Sequence, residues 1–185
     1  MREALEKRFT HCRQKGCLNI YPETVSYYSD PPGEAWVARV ADESYDPERH
    51  FQLRNPDGRP VHLAAIDKCL IGRVQPAPKR CDCVFFEGRD VCFVEFKIRA
   101  KGKAEADDRN QETRLLEAGD QLLASIQQFE QDDLLGPHHR VRAYAFVGYD
   151  LSYPAPTTTL LNIAELIDSN VKSAVDFDAR NSVMF

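Results

Sequence analysis

Two short, mainly apolar stretches, Cys81 to Phe86 and Val91 to Lys97, lie on either side of Glu87-Gly88-Arg89-Asp90. Apolar runs of this length predict strands, and the short glycine-bearing link between them predicts a β-hairpin. Other patterns surround it. Leu5, Phe9 and Cys12 fall at helical spacing and predict a first helix over 2–14. Val61 to Ile71 reads as a buried strand with a break near Asp67. Leu115, Leu122, Ile126 and Phe129, widened by Leu116 and Leu123, form the apolar stripe of a long helix over 111–131. Val141 to Gly148 reads as a further strand, residues 160–167 as a short helix, and the last residues as an arm.

Between the first helix and the sheet, residues 21–59 hold two turn signals, Asp30-Pro31-Pro32-Gly33 and Asn55-Pro56-Asp57-Gly58. They flank a candidate strand over 35–40, and the stretch reads as an insertion. Residues 75–78, Gln-Pro-Ala-Pro, form a connector that cannot join a central sheet. Residues 104–110 are polar, a loop or the start of a helix. The order is helix, three strands, helix, strand, with extras, which predicts a mixed α/β sheet in one domain over 1–185 with a C-terminal extension over 151–185.

The hairpin register carries the chemistry. With Gly88-Arg89 as a two-residue turn of type II′, Glu87 pairs with Asp90, and counting back sets Asp82 opposite Glu95. Strand alternation then puts Asp82, Val84 and Phe86 on one face with Val91, Phe93, Glu95 and Lys97. Opposed carboxylates repel in a ladder. Two of them about 5 Å apart suit an oxygen-ligated Mg²⁺ (or Mn²⁺), which keeps waters and accepts phosphate oxygens. A neighbouring lysine can orient a water or balance developing charge. The alternative is a diagonal Asp82–Lys97 ion pair with Glu95 solvated at the sheet end, an arrangement of little energetic weight.

Charge supports the first reading. The chain carries a formal −5, yet Lys68 to Lys103 holds nine basic and four acidic residues, a local +5 that leaves −10 for the remainder. Such a local field suits a polyanion. The six cysteines include no CxxC pair and read as reduced core thiols rather than disulfides; zinc on Cys81, Cys83 and Cys92 is the alternative. No apolar run approaches the roughly 20 residues of a bilayer span, and the N-terminus lacks a signal-peptide pattern, so the expected location is the cytoplasm. No GxSxG, P-loop or HExxH motif is present.

Asp82, followed on the next strand by Glu95-Phe96-Lys97, then by a long helix and a strand, resembles the PD-(D/E)xK nuclease superfamily. The resemblance covers about residues 61–148 and the first helix. It implies a restriction-endonuclease-like core of helix, three antiparallel strands, helix and strand. It also implies that Asp82 and Glu95 ligate the metal while Lys97 assists the attacking water. Gln121 is similar to a glutamine that several branches carry on the helix after the lysine strand. Lys79-Arg80-Cys81-Asp82 with Phe93-Val94-Glu95-Phe96-Lys97 looks like small prokaryotic members linked with anti-phage defence or mobile elements. Cys81 stands where many members have proline, and Pro56-Asp57 is a decoy that belongs to a turn. Glu3, Glu6 and Asp67 are candidates for a further acid.

The expected function is Mg²⁺-dependent hydrolysis of DNA by one component of a larger system, with Arg80, Arg99, Lys101 and Lys103 meeting the backbone. RNA is not distinguished from DNA. Protein partners or a homo-oligomer are expected, because no separate sequence-reading module is evident. The alternative is a non-catalytic subunit that keeps the nuclease fold as a protein-binding scaffold.

Overall fold

The computed structural model describes residues 1–31, 36–47, 49–71, 79–97, 106–146 and 157–185 (backbone only for 106–111 and 157). Its architecture is mixed α/β. Among the described residues, ten strands form two sheets: β1 (Leu18–Tyr21), β2 (Val25–Ser29), β3 (Ala38–Val40), β4 (Phe51–Arg54), β5 (Val61–Ala65), β6 (Cys83–Glu87), β7 (Asp90–Phe96), β8 (Arg140–Phe146), β9 (Val175–Ala179) and β10 (Ser182–Met184). The helices are α1 (Arg2–Arg8), α2 (Cys12–Lys15), α3 (Ala106–Gln131) and α4 (Thr157–Asn170).

The larger sheet has the order β1-β5-β6-β7-β8-β9. β5, β6 and β7 form an antiparallel meander, and β8 and β9 then add in parallel. Parallel neighbours need a crossover, which α3 and α4 supply. Residues of the stretch read as an insertion build most of a second sheet, β10-β4-β2-β3, in which β10 pairs in parallel with β4.

Alternation along the meander sorts side chains between two cores. Val84, Phe86, Val91 and Phe93 pack with Leu115, Leu122, Ile126 and Phe129 on the helical side. Cys83, Phe85, Cys92 and Val94 pack with Tyr28, Phe51 and Leu53 of the second sheet. Every residue from Val91 to Phe96 is thereby buried, because both faces of β7 are covered. The helical stripe reaches the sheet through Leu115, Leu122, Ile126 and Phe129 with Leu123 packed beside them, but Leu116 is 47% exposed and does not widen it.

Several expectations change. The first helix breaks at Phe9, whose φ of −116° and ψ of 77° leave the helical region, and resumes for four residues before Gly16 ends it at φ 70°. The break keeps Leu5 and Cys12 both in the core while the chain turns. The long helix starts at Ala106, earlier than its apolar stripe, and the described part of the candidate strand over 35–40 pairs over Ala38–Val40, position 35 lying outside the described residues. The supposed arm holds two strands. Val175, Phe177 and Ala179 lie against Val141, Ala143 and Ala145, so partial burial on a sheet edge had masked a legible alternation. The connector at 75–78 lies outside the described residues. Asn55 to Gly58 is a turn, with Gly58 at φ 61° donating to the Asn55 carbonyl at 3.0 Å.

The cysteines divide differently from the expectation. Cys17 and Cys69 form a disulfide across 52 residues, which overturns the fully reduced reading. Spacing along the chain cannot disclose it, because the two meet only when β1 pairs with β5. Cys12, Cys81, Cys83 and Cys92 are free and buried.

One close approach joins the two long helices. A Cβ on Gly119 would come within 2.6 Å of the Ile163 Cγ2 atom in α4. Gly119→Ala is therefore expected to lower stability by about 1–2 kcal/mol, overpacking outweighing the gain in helix propensity. Urea denaturation checks this; equal or greater stability would show that α4 shifts freely.

Candidate active site

The hairpin turn has Gly88 at φ 55°, as a type II′ turn requires, and Glu87 pairs with Asp90. The ladder ends at Cys83–Val94, and one step further the same register sets Asp82 against Glu95. The Phe96 amide donates to Asp82 Oδ2 at 2.7 Å, which ties that carboxylate to the β7 backbone. Asp82 and Glu95 are 8% and 2% exposed, so both acids lie at the buried end of the face that packs against α3.

Lys97 stands at the centre of the polar groups. Its Nζ lies 3.0 Å from Glu95 Oε1 and 3.8 Å from Glu117 Oε2, and it donates to Gln121 Oε1. Gln121 in turn donates from Nε2 to the Arg80 carbonyl at 2.9 Å. In place of the alternative arrangement, a diagonal Asp82–Lys97 pair with Glu95 solvated, Lys97 pairs with Glu95 and Glu95 is buried. Ser125, one helical turn along α3, receives the Cys81 amide at 2.7 Å and donates to the Gln121 carbonyl at 3.0 Å. Lys79 reaches Asp120 at 2.6 Å. Helical spacing thus places Asp120, Gln121 and Ser125 where they stitch the segment before β6 onto α3.

Glu95 Oε2 is buried without a hydrogen-bond partner in the structure. Burial, and then the nearby Asp82 charge, push the Glu95 carboxyl well above its ordinary value. Burial pushes Asp82 up to about 7, with the charge of Asp30 the next cause and that of Asp67 contributing. The two buried carboxyls resist joint ionisation and are joined by a side-chain hydrogen bond, so they share a proton when no cation is bound.

The surrounding acids carry their own cations. Asp30 pairs with Lys68 at 3.2 Å, and Asp67 with Arg80 at 2.6 Å. Glu6 is held between Arg2 and Arg13, and Glu3 is exposed. Asp30 was read only as part of a turn signal, and no local pattern links it to the hairpin. Arg80 is buried, with Nη1 unpartnered, so its guanidinium is an internal group instead of a surface contact for a nucleic-acid backbone. Arg99, Lys101 and Lys103 lie outside the described residues.

Among the described residues, no group of three or more His, Cys, Asp or Glu side chains is arranged to hold a metal. Asp82 and Glu95 are a pair. A pair fits Mg²⁺, which is commonly held by one or two carboxylates with waters and substrate phosphates completing its shell. Among the same residues, no helix is long and apolar enough to cross a membrane.

Comparison with known proteins finds no family model that matches the chain, and no match among curated proteins or solved structures.

Proposed function

We propose that the chain is a PD-(D/E)xK-type nuclease that hydrolyses DNA phosphodiester bonds with Mg²⁺ or Mn²⁺, as one component of a larger prokaryotic system such as anti-phage defence. The observation that carries this reading is the buried Asp82–Glu95 pair with the unpartnered Glu95 Oε2, directly beside Lys97. The antiparallel meander, the crossover helix and the parallel β8 support a restriction-endonuclease-like core. The second sheet is an addition to it.

Asp82 and Glu95 would hold the metal. Bound there, it would acidify a water and balance charge on the leaving oxygen. Lys97 orients the attacking water and stabilises negative charge on the phosphoryl group. Gln121 fixes the Lys97 ammonium through one amide atom and the Arg80 backbone through the other. A second reading, a non-catalytic scaffold subunit, draws on the Lys97–Glu95 pair, which partly balances the site's charge without a metal.

The test incubates purified protein with linear and plasmid DNA in Mg²⁺ or Mn²⁺, beside Asp82→Ala and Lys97→Ala. Each substitution is expected to reduce cleavage at least about 100-fold. Cleavage that survives both would overturn the assignment. A wild type that binds Mn²⁺ but cuts only with copurified partners supports the component role; one that neither binds nor cuts favours the scaffold.

A further inference from the structure

Asp82 is held from two sides. The Phe96 amide fixes its carboxylate, while the turn after β5 fixes its backbone: the Ile66 and Asp67 amides both donate to the Asp82 carbonyl, at 2.8 and 3.2 Å. The same turn sends Asp67 to Arg80 and Lys68 to Asp30, whose charge acts on Asp82. Lys68 adopts φ 64°, a left-handed conformation that a residue with a side chain keeps only when its surroundings enforce it.

The next residue is Cys69. Its bond to Cys17 joins this turn to the start of β1, where the Cys17 carbonyl also receives the Ala65 amide at 2.9 Å. The Cys69 carbonyl is bonded to His11 Nε2 at 3.0 Å. The cross-link therefore ends one residue from a strained position and two from an amide that holds Asp82.

We propose that the Cys17–Cys69 disulfide is a redox-addressed positioning device for Asp82, and that a dithiol reductant loosens the turn Ile66–Ile71 and weakens the site. The consequence for the metal rests on the function proposed above. In the reaction, a thiolate of the dithiol attacks one cysteine sulfur. The S–S bond breaks, a mixed disulfide forms, and the other cysteine leaves as a thiolate that takes up a proton. The second thiol of the reductant, deprotonated, then attacks its own sulfur in the mixed disulfide and releases the first cysteine, which is protonated in turn. Two electrons pass to the protein and the dithiol ends as a disulfide. Both sulfurs are buried, so attack waits on local opening of the turn. Cys81, Cys83 and Cys92 are buried thiols whose ionisation burial opposes, so they are poor nucleophiles in exchange.

The test compares the full chain before and after dithiothreitol, with thiols counted by alkylation and mass spectrometry, and uses Cys17→Ala/Cys69→Ala if the bond resists reduction. Amide hydrogen exchange is followed at Ile66 and Asp67 and, as reference, across β8 and the β7 residues 91–94. Breaking the bond is expected to speed exchange at Ile66 and Asp67 at least tenfold with the reference amides unchanged, and to weaken Mn²⁺ binding about tenfold. Unchanged exchange at those two amides overturns the proposal. So does equal acceleration everywhere, which would make the bond a global staple. Local loosening with no Mn²⁺ binding in either form supports the positioning role and overturns the metal reading instead. Local loosening with undiminished Mn²⁺ affinity overturns the link between the turn and the site.

Discussion

Replacing Val183 and Phe185 together by alanine is expected to lower the unfolding free energy by about 5 kcal/mol. Both side chains are buried between the two sheets, among Phe51, Leu53, Phe85 and Phe146. Phe185 lies against the Arg142 guanidinium, whose Cζ is 4.8 Å from the ring centroid, and its amide donates to the Arg54 carbonyl at 2.9 Å. Truncating a buried phenylalanine typically costs about 3–5 kcal/mol, and a smaller aliphatic loss adds to it. Domains of this kind are stable by only about 5–15 kcal/mol, so the double variant sits near the edge of folding. Met184, between the two and 58% exposed, provides the control: Met184→Ala should change stability by less than about 0.5 kcal/mol. Urea midpoints at constant slope measure the difference. A double variant as stable as Met184→Ala would mean that the second sheet does not depend on β10.

Asp82→Asn is expected to stabilise the metal-free protein, and increasingly so as pH rises from 5 to 8. Asp82 titrates near 7 in the folded chain, against 3.8 for the free group. A raised carboxylate value means that the folded state holds a proton the unfolded state has released. Its contribution is full below about 4 and is lost as pH rises through about 7. A shift of that size corresponds to about 4 kcal/mol for a group so fully buried. Glu95 acts in the same direction. His50, His62 and His139 are lowered by burial and act in the opposite sense over the acid half of this range, so the wild type alone does not isolate the effect. The difference between wild type and Asp82→Asn does. Thermal melts in chelator at both pH values supply it, and added Mg²⁺ should narrow the gap by stabilising only the wild type. A gap that stays constant with pH would show that Asp82 is ionised and satisfied without a cation.

Much of the site was legible because it is local. Gly88 sets the turn, the turn sets the register, and the register sets Asp82 against Glu95 with Lys97 two residues on. Gln121 was legible as a residue type on a helix, but its double bond to Lys97 and Arg80 depends on how α3 lies across the sheet. Arg80 was read as a surface cation from its place in a basic segment. Burial against Asp67 made it an internal ion pair, because a guanidinium taken out of water needs a carboxylate partner.

By itself the sequence determined the hairpin, the helical stripe that packs on it, the mixed α/β class and the facing carboxylates. All of these follow from periodicities of two and 3.6 residues and one turn. Only the tertiary structure decided that β2, β3, β4 and the last strand close into one sheet, that Cys17 meets Cys69, and that Asp30 bears on Asp82. Those outcomes join segments tens of residues apart, through burial and charge that no local spacing encodes. The hairpin writes its own geometry; the environment that makes its carboxylates resist ionisation is assembled by the rest of the fold.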